Sequence, residues 1–177
     1  MLSITVRDYI ANRDHRLMRR VNNWSAPQWV RLWMICATRG GDGWLWYAMM
    51  GVILAFGGDE RYRATLACLC AGTLSIVNYL WLKRVTKRKR PCQIEPHCWA
   101  RLLPPDQFSF PSGHSMTAFA VATVIGLFYP SLMAGVVFCA ISIAASRILL
   151  GMHFLSDVVA GSLLGASIGY WAYHLFA

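Results

Sequence analysis

Two histidines in this sequence, His114 and His153, each stand within a short run of residues suited to holding an anion. His153 is followed four residues later by Asp157. That spacing puts both on one helical face, where the carboxylate can accept a hydrogen bond from one ring nitrogen and leave the other an exposed lone pair. Ser146, Arg147, Gly151 and Met152 precede them. His114 sits in the run Phe110-Pro111-Ser112-Gly113-His114-Ser115, where an apolar helix is expected to begin. The first N–H groups of a helix have no intrahelical partner and are free to bind an anion. Gly113 would let a phosphate oxygen come close to the backbone, and Ser112 can cap the helix or donate a hydrogen bond. A third run, Lys83-Arg84-Val85-Thr86-Lys87-Arg88-Lys89-Arg90-Pro91, is densely basic. Taken singly, each run has a plainer reading: a structural His–Asp pair, a capped helix with an interfacial histidine, and a basic stretch anchoring a helix to anionic headgroups.

The elements that must carry these runs are apolar. Of the 177 residues 56% are hydrophobic, eight are Trp and only 14% are charged. The stretches Ala64 to Leu82 and Ser131 to Ala145 contain no charge, a composition suited to lipid rather than water as solvent. The expected fold class is an all-α, polytopic integral membrane bundle of about five transmembrane helices, near Gly43 to Phe56, Ala64 to Leu82, Gly113 to Tyr129, Ser131 to Leu150 and Phe154 to Phe176. The first is the shortest against a hydrocarbon core of roughly 30 Å. Ahead of them, Val6, Ile10, Leu17, Met18 and Val21 share one face while Arg13, Arg16, Arg19 and Arg20 fall largely elsewhere, which predicts an N-terminal amphipathic interfacial helix. The piece Trp29 to Thr38 contains Arg31 and is too short to cross. The chain is expected to be a single domain over 1–177, with 1–42 interfacial and 43–177 forming the bundle.

The net charge of +9 gathers between Arg7 and Arg39 and between Lys83 and Arg90. Basic runs pinned between apolar segments favour lipid headgroups or phosphorylated substrates over nucleic acid as partners. Cys36, Cys68, Cys70 and Cys139 fall in or beside apolar segments as small hydrophobes. Cys92 and Cys98 share a polar loop and could pair in an oxidising compartment, while His97 beside Cys98 is too little for a zinc site. No cleavable signal peptide is expected from the charged first twenty residues. His15, His97 and His174 receive no role.

Short connections around 57–63 and Pro130 make neighbouring helices antiparallel, so the end of the second apolar segment, the start of the third and the junction of the fourth and fifth share one side. All three polar runs occur there. Their combined spacing is Lys83 with Arg90-Pro91, Pro111-Ser112-Gly113-His114, and Ser146-Arg147 with His153 and Asp157. It resembles the complete tripartite signature of the type 2 phosphatidic acid phosphatase superfamily, over about Gly43 to Tyr170; the first forty residues lack that family's usual first span. The resemblance implies a membrane phosphatase in which His153 is the nucleophile forming a phosphohistidine, Asp157 holds its tautomer, and His114 is the general acid. Lys83, Arg90, Arg147, Ser112 and Gly113 would surround the phosphoryl oxygens, with no metal and no cofactor. Implied substrates are phosphatidic acid, phosphatidylglycerol phosphate, polyprenyl diphosphate or a polyprenyl-linked sugar phosphate. The superfamily's soluble vanadium haloperoxidases fit poorly with lipid-embedded motifs. The rival from another class is a non-enzymatic membrane module that binds anionic lipid through its basic loop. A bacterial inner (cell) membrane is the expected location. The arginines and the basic loop on the site's side favour a cytoplasmic site by the positive-inside rule, although Lys83, Arg90 and Arg147 have chemical reasons to be there. Oligomeric state is left open.

Overall fold

The computed structural model describes residues 6–94 and 106–177. Among these the chain is helical, with one isolated antiparallel bridge between Lys89 and Phe108. The helices are α1 (Val6–Asn22), α2 (Gln28–Arg39), α3 (Leu45–Phe56), α4 (Arg61–Thr86), α5 (Pro91–Ile94), α6 (Gly113–Phe128), α7 (Met133–Leu149) and α8 (Leu155–Phe176). The all-α expectation holds, and each of the five apolar segments coincides with a helix.

α6 lies at the centre, packed against α4, α7 and α8. It is apolar on every side and buried on nearly all of them, from Gly113 and Met116 through Val121 to Gly126, as an inner helix must be. Its contact with α8 is set by three glycines four residues apart. A Cβ added at Gly161, Gly165 or Gly169 would lie 2.6, 2.1 or 2.3 Å from the carbonyl oxygens of Ser112, Met116 and Ala120. Those three are also four apart, so the two backbones run in register at a separation that side chains would forbid. The register brings Asp157, one turn before Gly161, alongside Ser112, whose N–H donates to the Asp157 carbonyl at 3.0 Å.

The outer faces carry the opposite pattern to a soluble protein. Val77 and Trp81 on α4, Phe138 and Ile141 on α7, and Leu163 and Trp171 on α8 are exposed. The stretches Gly58–Thr86 and Pro130–Leu149 are long and apolar enough to cross a membrane, with only 22% and 39% of their most apolar windows buried inside the protein. Apolar surface of this extent is stable only against other apolar groups.

The structure departs from or extends the sequence reading at several points. α4 runs past Leu82 to Thr86 before Lys87 ends it in the left-handed conformation (φ 48), so Lys83 points from the helix's last turn rather than from a loop. α1 buries Met18, Val21 and also Asp14, packing against α7 and α8; its apolar face therefore meets protein. The piece predicted not to cross forms α2, whose Met34 packs with Leu150 and Met152 at the far end of α7. α2 runs into α3 through the turn Gly40–Trp44, where Gly43 takes φ 119, so the boundary expected at 42/43 falls at a bend in one helical run. Cys92, the second residue of α5, is half-buried; Cys98, His97 and Arg101 lie outside the described residues.

Gly165→Ala would force the α6 and α8 backbones apart. It should cost about 1–3 kcal/mol and lower the melting temperature in detergent. Gly135→Ala on α7, where an added Cβ meets nothing within 4 Å, should leave it unchanged; equal melting temperatures for the two variants would contradict the close-packing account.

Candidate active site

At the end of the bundle where α4 finishes and α6 and α8 begin, a cavity of about 400 Å³ opens. Six of the eight predicted site residues line it: Lys83, Arg90, Gly113, His114, Arg147 and His153. Ser112 and Asp157 sit behind this wall and are fully buried. The two histidines share one cavity.

Burying three cationic side chains together requires partners for each. Lys83, on the last turn of α4, places Nζ 2.6 Å from Asp106 Oδ2 and 5.2 Å above the Tyr79 ring. Arg90, next to Pro91 at the start of α5, is 1% exposed and fixed on all sides. Its Nε donates to the Asp106 carbonyl at 2.9 Å, Nη2 to Asp106 Oδ1 at 2.7 Å, and Nη1 to the Met152 carbonyl at 3.0 Å and to His153 Nε2 at 3.1 Å. Arg147, in the last turn of α7, donates from Nη1 to Thr38 Oγ1, while its buried Nε has no hydrogen-bond partner among the described residues. Its carbonyl accepts the N–H groups of both Met152 and His153 at 3.0 Å, which ties the turn before α8 to the end of α7. Asp106 was not singled out in the sequence. Burial works against its charge, but the ion pairs with Lys83 and Arg90 outweigh that and hold its carboxyl below the ordinary range.

The Arg90 N–H directed at Nε2 makes that nitrogen of His153 the acceptor, which puts the ring proton on Nδ1. Burial, and then the charges of Arg90, Arg147 and Lys83, keep this imidazole well below its ordinary pKa of 6.5, hence neutral with a lone pair at neutral pH. Nδ1 stands 3.7 Å from Asp157 Oδ2, too long for a hydrogen bond, and has no hydrogen-bond partner among the described residues. Asp157 is held instead by the Phe154 N–H at 2.9 Å and by Arg88 Nη1 at 2.7 Å. Arg88 also reaches Ser156 Oγ and Asp14 Oδ2, both at 2.7 Å, and stacks 4.3 Å from the Phe154 ring. Within the basic run, then, Arg88 faces inward and braces the His153 turn from behind, with α1 supplying Asp14.

On the opposite wall, Ser112 is the N-cap of α6; its Oγ accepts from Ser115 at N 3.4 Å and at Oγ 2.9 Å. Gly113 lies under Tyr79, whose ring an added Cβ would meet at 3.1 Å. His114 Nε2 is 2.7 Å from Asp42 Oδ1. Thr38, Asp42, Asp106, Arg88 and Asp14 are thus contacts that sequence reasoning missed. The one available signal was Asp42, an acidic residue set among glycines at the edge of an apolar segment.

Three cations, two histidines and the start of α6 around one cavity can bind a tetrahedral oxyanion and offer a nitrogen nucleophile on one side of it. Residues 63–177 match the model of the PAP2 superfamily, and the chain belongs to that superfamily. It is 35% identical over 127 residues to decaprenylphosphoryl-5-phosphoribose phosphatase of Mycobacterium tuberculosis, covering 72% of this chain and 68% of that one. It is 34% identical over 131 residues to phosphatidylglycerophosphatase B of Bacillus subtilis, covering 64% and 60%. Its fold matches the crystal structure of Aquifex aeolicus LpxE with a TM-score of 0.76 at 26% identity, over 90% of this chain and 94% of that one. The chain is therefore an integral membrane hydrolase of the phosphatase class, and the non-enzymatic alternative falls away.

Arg90→Lys keeps the charge but cannot make the four contacts of the guanidinium fork. It should lower the rate of phosphate release by roughly 100-fold in a protein whose helical circular dichroism is unchanged. A variant close to the parent rate would show that the fork is dispensable.

Proposed function

We propose that this protein hydrolyses a lipid phosphate or lipid diphosphate at the membrane boundary through a phosphohistidine intermediate on His153. The supporting observation is the continuity of one cavity. Its charged end holds Lys83, Arg90, Arg147 and both histidines, and its walls continue along Tyr79, Ile76, Gly72 and Leu69 of α4, facing Trp46 and Met50 of α3 and Val121 of α6. From Lys83 to Leu69 is about 20 Å of helix at 1.5 Å per residue. A headgroup phosphate at one end with a hydrocarbon tail along the rest matches that division of polarity. Phosphatidic acid, phosphatidylglycerol phosphate, a polyprenyl diphosphate and a polyprenyl-linked sugar phosphate all have this shape. The names of the mycobacterial and Bacillus relatives fall within the same group.

In the first step His153 Nε2 attacks phosphorus in line, and the bond to the leaving oxygen breaks as His114 gives that oxygen a proton. Arg90, displaced from Nε2 by the phosphoryl group, turns its donors to the equatorial oxygens, joined by Lys83, Arg147 and the Gly113 N–H. Asp157, braced by Arg88, balances the charge that develops on the His153 ring. In the second step water attacks phosphorus, its proton passes to His114, and His153 leaves as a neutral imidazole. The proposal assigns stabilisation of the phosphoryl charge to side chains rather than to a metal ion.

α3, α4, α6, α7 and α8 are proposed as five crossings of a bacterial inner membrane, with α1 and α2 at the boundary on the site's side. That side carries the arginines of α1 and the run from Lys83 to Arg90, which favours the cytoplasm.

Purified protein should release phosphate from at least one of the four lipids in the presence of a chelator, be inhibited by vanadate, and form an acid-labile, base-stable phosphoenzyme. His153→Ala should abolish all phosphate release, and a variant with parent activity would rule out this mechanism. For orientation, a Cys36→Ser protein should resist labelling at Cys92 by an impermeant thiol reagent in intact cells and accept it after lysis; labelling in intact cells would reverse the assignment.

A further inference from the structure

The turn Gly40–Trp44 lies outside the part of the chain that matches the superfamily model, yet it presses on the site. A Cβ added at Gly41 would fall 2.8 Å from Ile143 Cγ2 and 3.2 Å from His114 Cδ2. Gly43 holds φ 119, and there a Cβ would meet the Tyr47 ring at 2.9 Å. Between these glycines Asp42 lines the cavity, with Oδ1 2.7 Å from His114 Nε2. One turn earlier, Thr38 accepts from Arg147. Residues 38–43 thus form a wall of the site.

A carboxylate facing a cavity for a phosphate opposes the binding of that phosphate, so affinity gives no reason for Asp42 to stand there. Its neighbours do. Besides Asp42, the groups that share the cavity with His114 include Lys83 from α4, Arg90 beside α5, Arg147 from α7 and His153 from the turn before α8. Each of these four is cationic or becomes so during the reaction, and each repels a proton on the His114 ring. Among the described residues the other carboxylate that lines the cavity, Asp106, is bonded to Lys83 and Arg90. Asp42 is therefore the anion placed to balance an imidazolium at His114, and by accepting from Nε2–H it settles which nitrogen faces the substrate.

We propose that Asp42 is the positioning residue of the general acid, so that the site works with two His–carboxylate pairs, His153 with Asp157 and His114 with Asp42. The inference rests on the phosphohistidine reading above and refines it. As the bond from His153 Nε2 to phosphorus forms and the ester P–O bond breaks, the Nδ1 proton of His114 goes to the leaving oxygen. The ring passes from imidazolium to neutral imidazole, with Nε2–H still on Asp42. When water then attacks phosphorus and the N–P bond breaks, the proton from water returns to Nδ1.

The readout is leaving-group release in a single turnover, before the phosphoenzyme is hydrolysed. Two substrates are compared: a short-chain phosphatidic acid in detergent, whose alkoxide must be protonated, and p-nitrophenyl phosphate, whose phenolate departs unaided. Asp42→Asn should slow release from the alkyl ester by about 100-fold and change release from the aryl ester by only a few-fold. Asp42→Glu should recover most of the alkyl rate. In a His114→Ala background, Asp42→Asn should cost nothing further. Equal losses on both substrates, additive losses in the double variant, or unimpaired alkyl release by Asp42→Asn would overturn the assignment. Those outcomes are distinct from failure of the reading beneath it, which would show as a parent protein that forms no phosphoenzyme from either substrate.

Discussion

Three cationic side chains, Lys83, Arg90 and Arg147, are buried around a single cavity, and much of the structure near them exists to keep them there. Each repels the other two, and each has lost most of its water, so the arrangement is tenable only where fixed partners replace hydration. Asp106 bonds two of them, two backbone carbonyls bond Arg90, and Thr38 bonds Arg147. The compensation is incomplete: among the described residues Arg147 Nε has no hydrogen-bond partner, and one carboxylate, Asp106, serves two cations. The residual positive field is what a phosphoryl group would meet, and because the donors are already fixed, little reorganisation is needed when it arrives.

Holding that cup in shape falls to backbone packing more than to the charged groups themselves. The glycines of α8 let its backbone lie against that of α6, so the capped start of α6 and the start of α8 stand side by side at one end. The carbonyl of Arg147 then ties the His153 turn to α7. Behind His153, Arg88 joins Asp157, Ser156 and Asp14 in one hydrogen-bonded group. α1, expected only to lie on a membrane, thereby becomes part of the support for the site.

Within the basic run, residue type alone does not separate Arg88 from its neighbours Lys87 and Lys89. The left-handed residue at Lys87 ends α4, and the chain that follows carries Arg88 beneath Phe154 while Lys87 and Lys89 stay exposed. A solvated anchoring face and a buried brace look identical until the path of the backbone after Thr86 is known. Asp42 and Asp106 were missed for a related reason. Each is a single acidic residue whose partner lies on a different helix or loop, with no periodic or local pattern to mark it.

What the amino-acid order determined by itself was the set of apolar helices, and of the eight residues it singled out six line one cavity. Long uncharged runs have no stable alternative to burial or lipid, and a phosphate site without other anchors demands arginine, lysine, histidine and an open helix start in recognisable spacing. What only the tertiary structure decided was which polar side chains stand behind those eight. It also decided that Asp157 is gripped by Arg88 and a backbone N–H rather than hydrogen-bonded to His153, and that His114 has a carboxylate of its own. Such pairings depend on helix separation and on the direction of a bend at Gly43, and these are set by contacts between segments far apart in the chain.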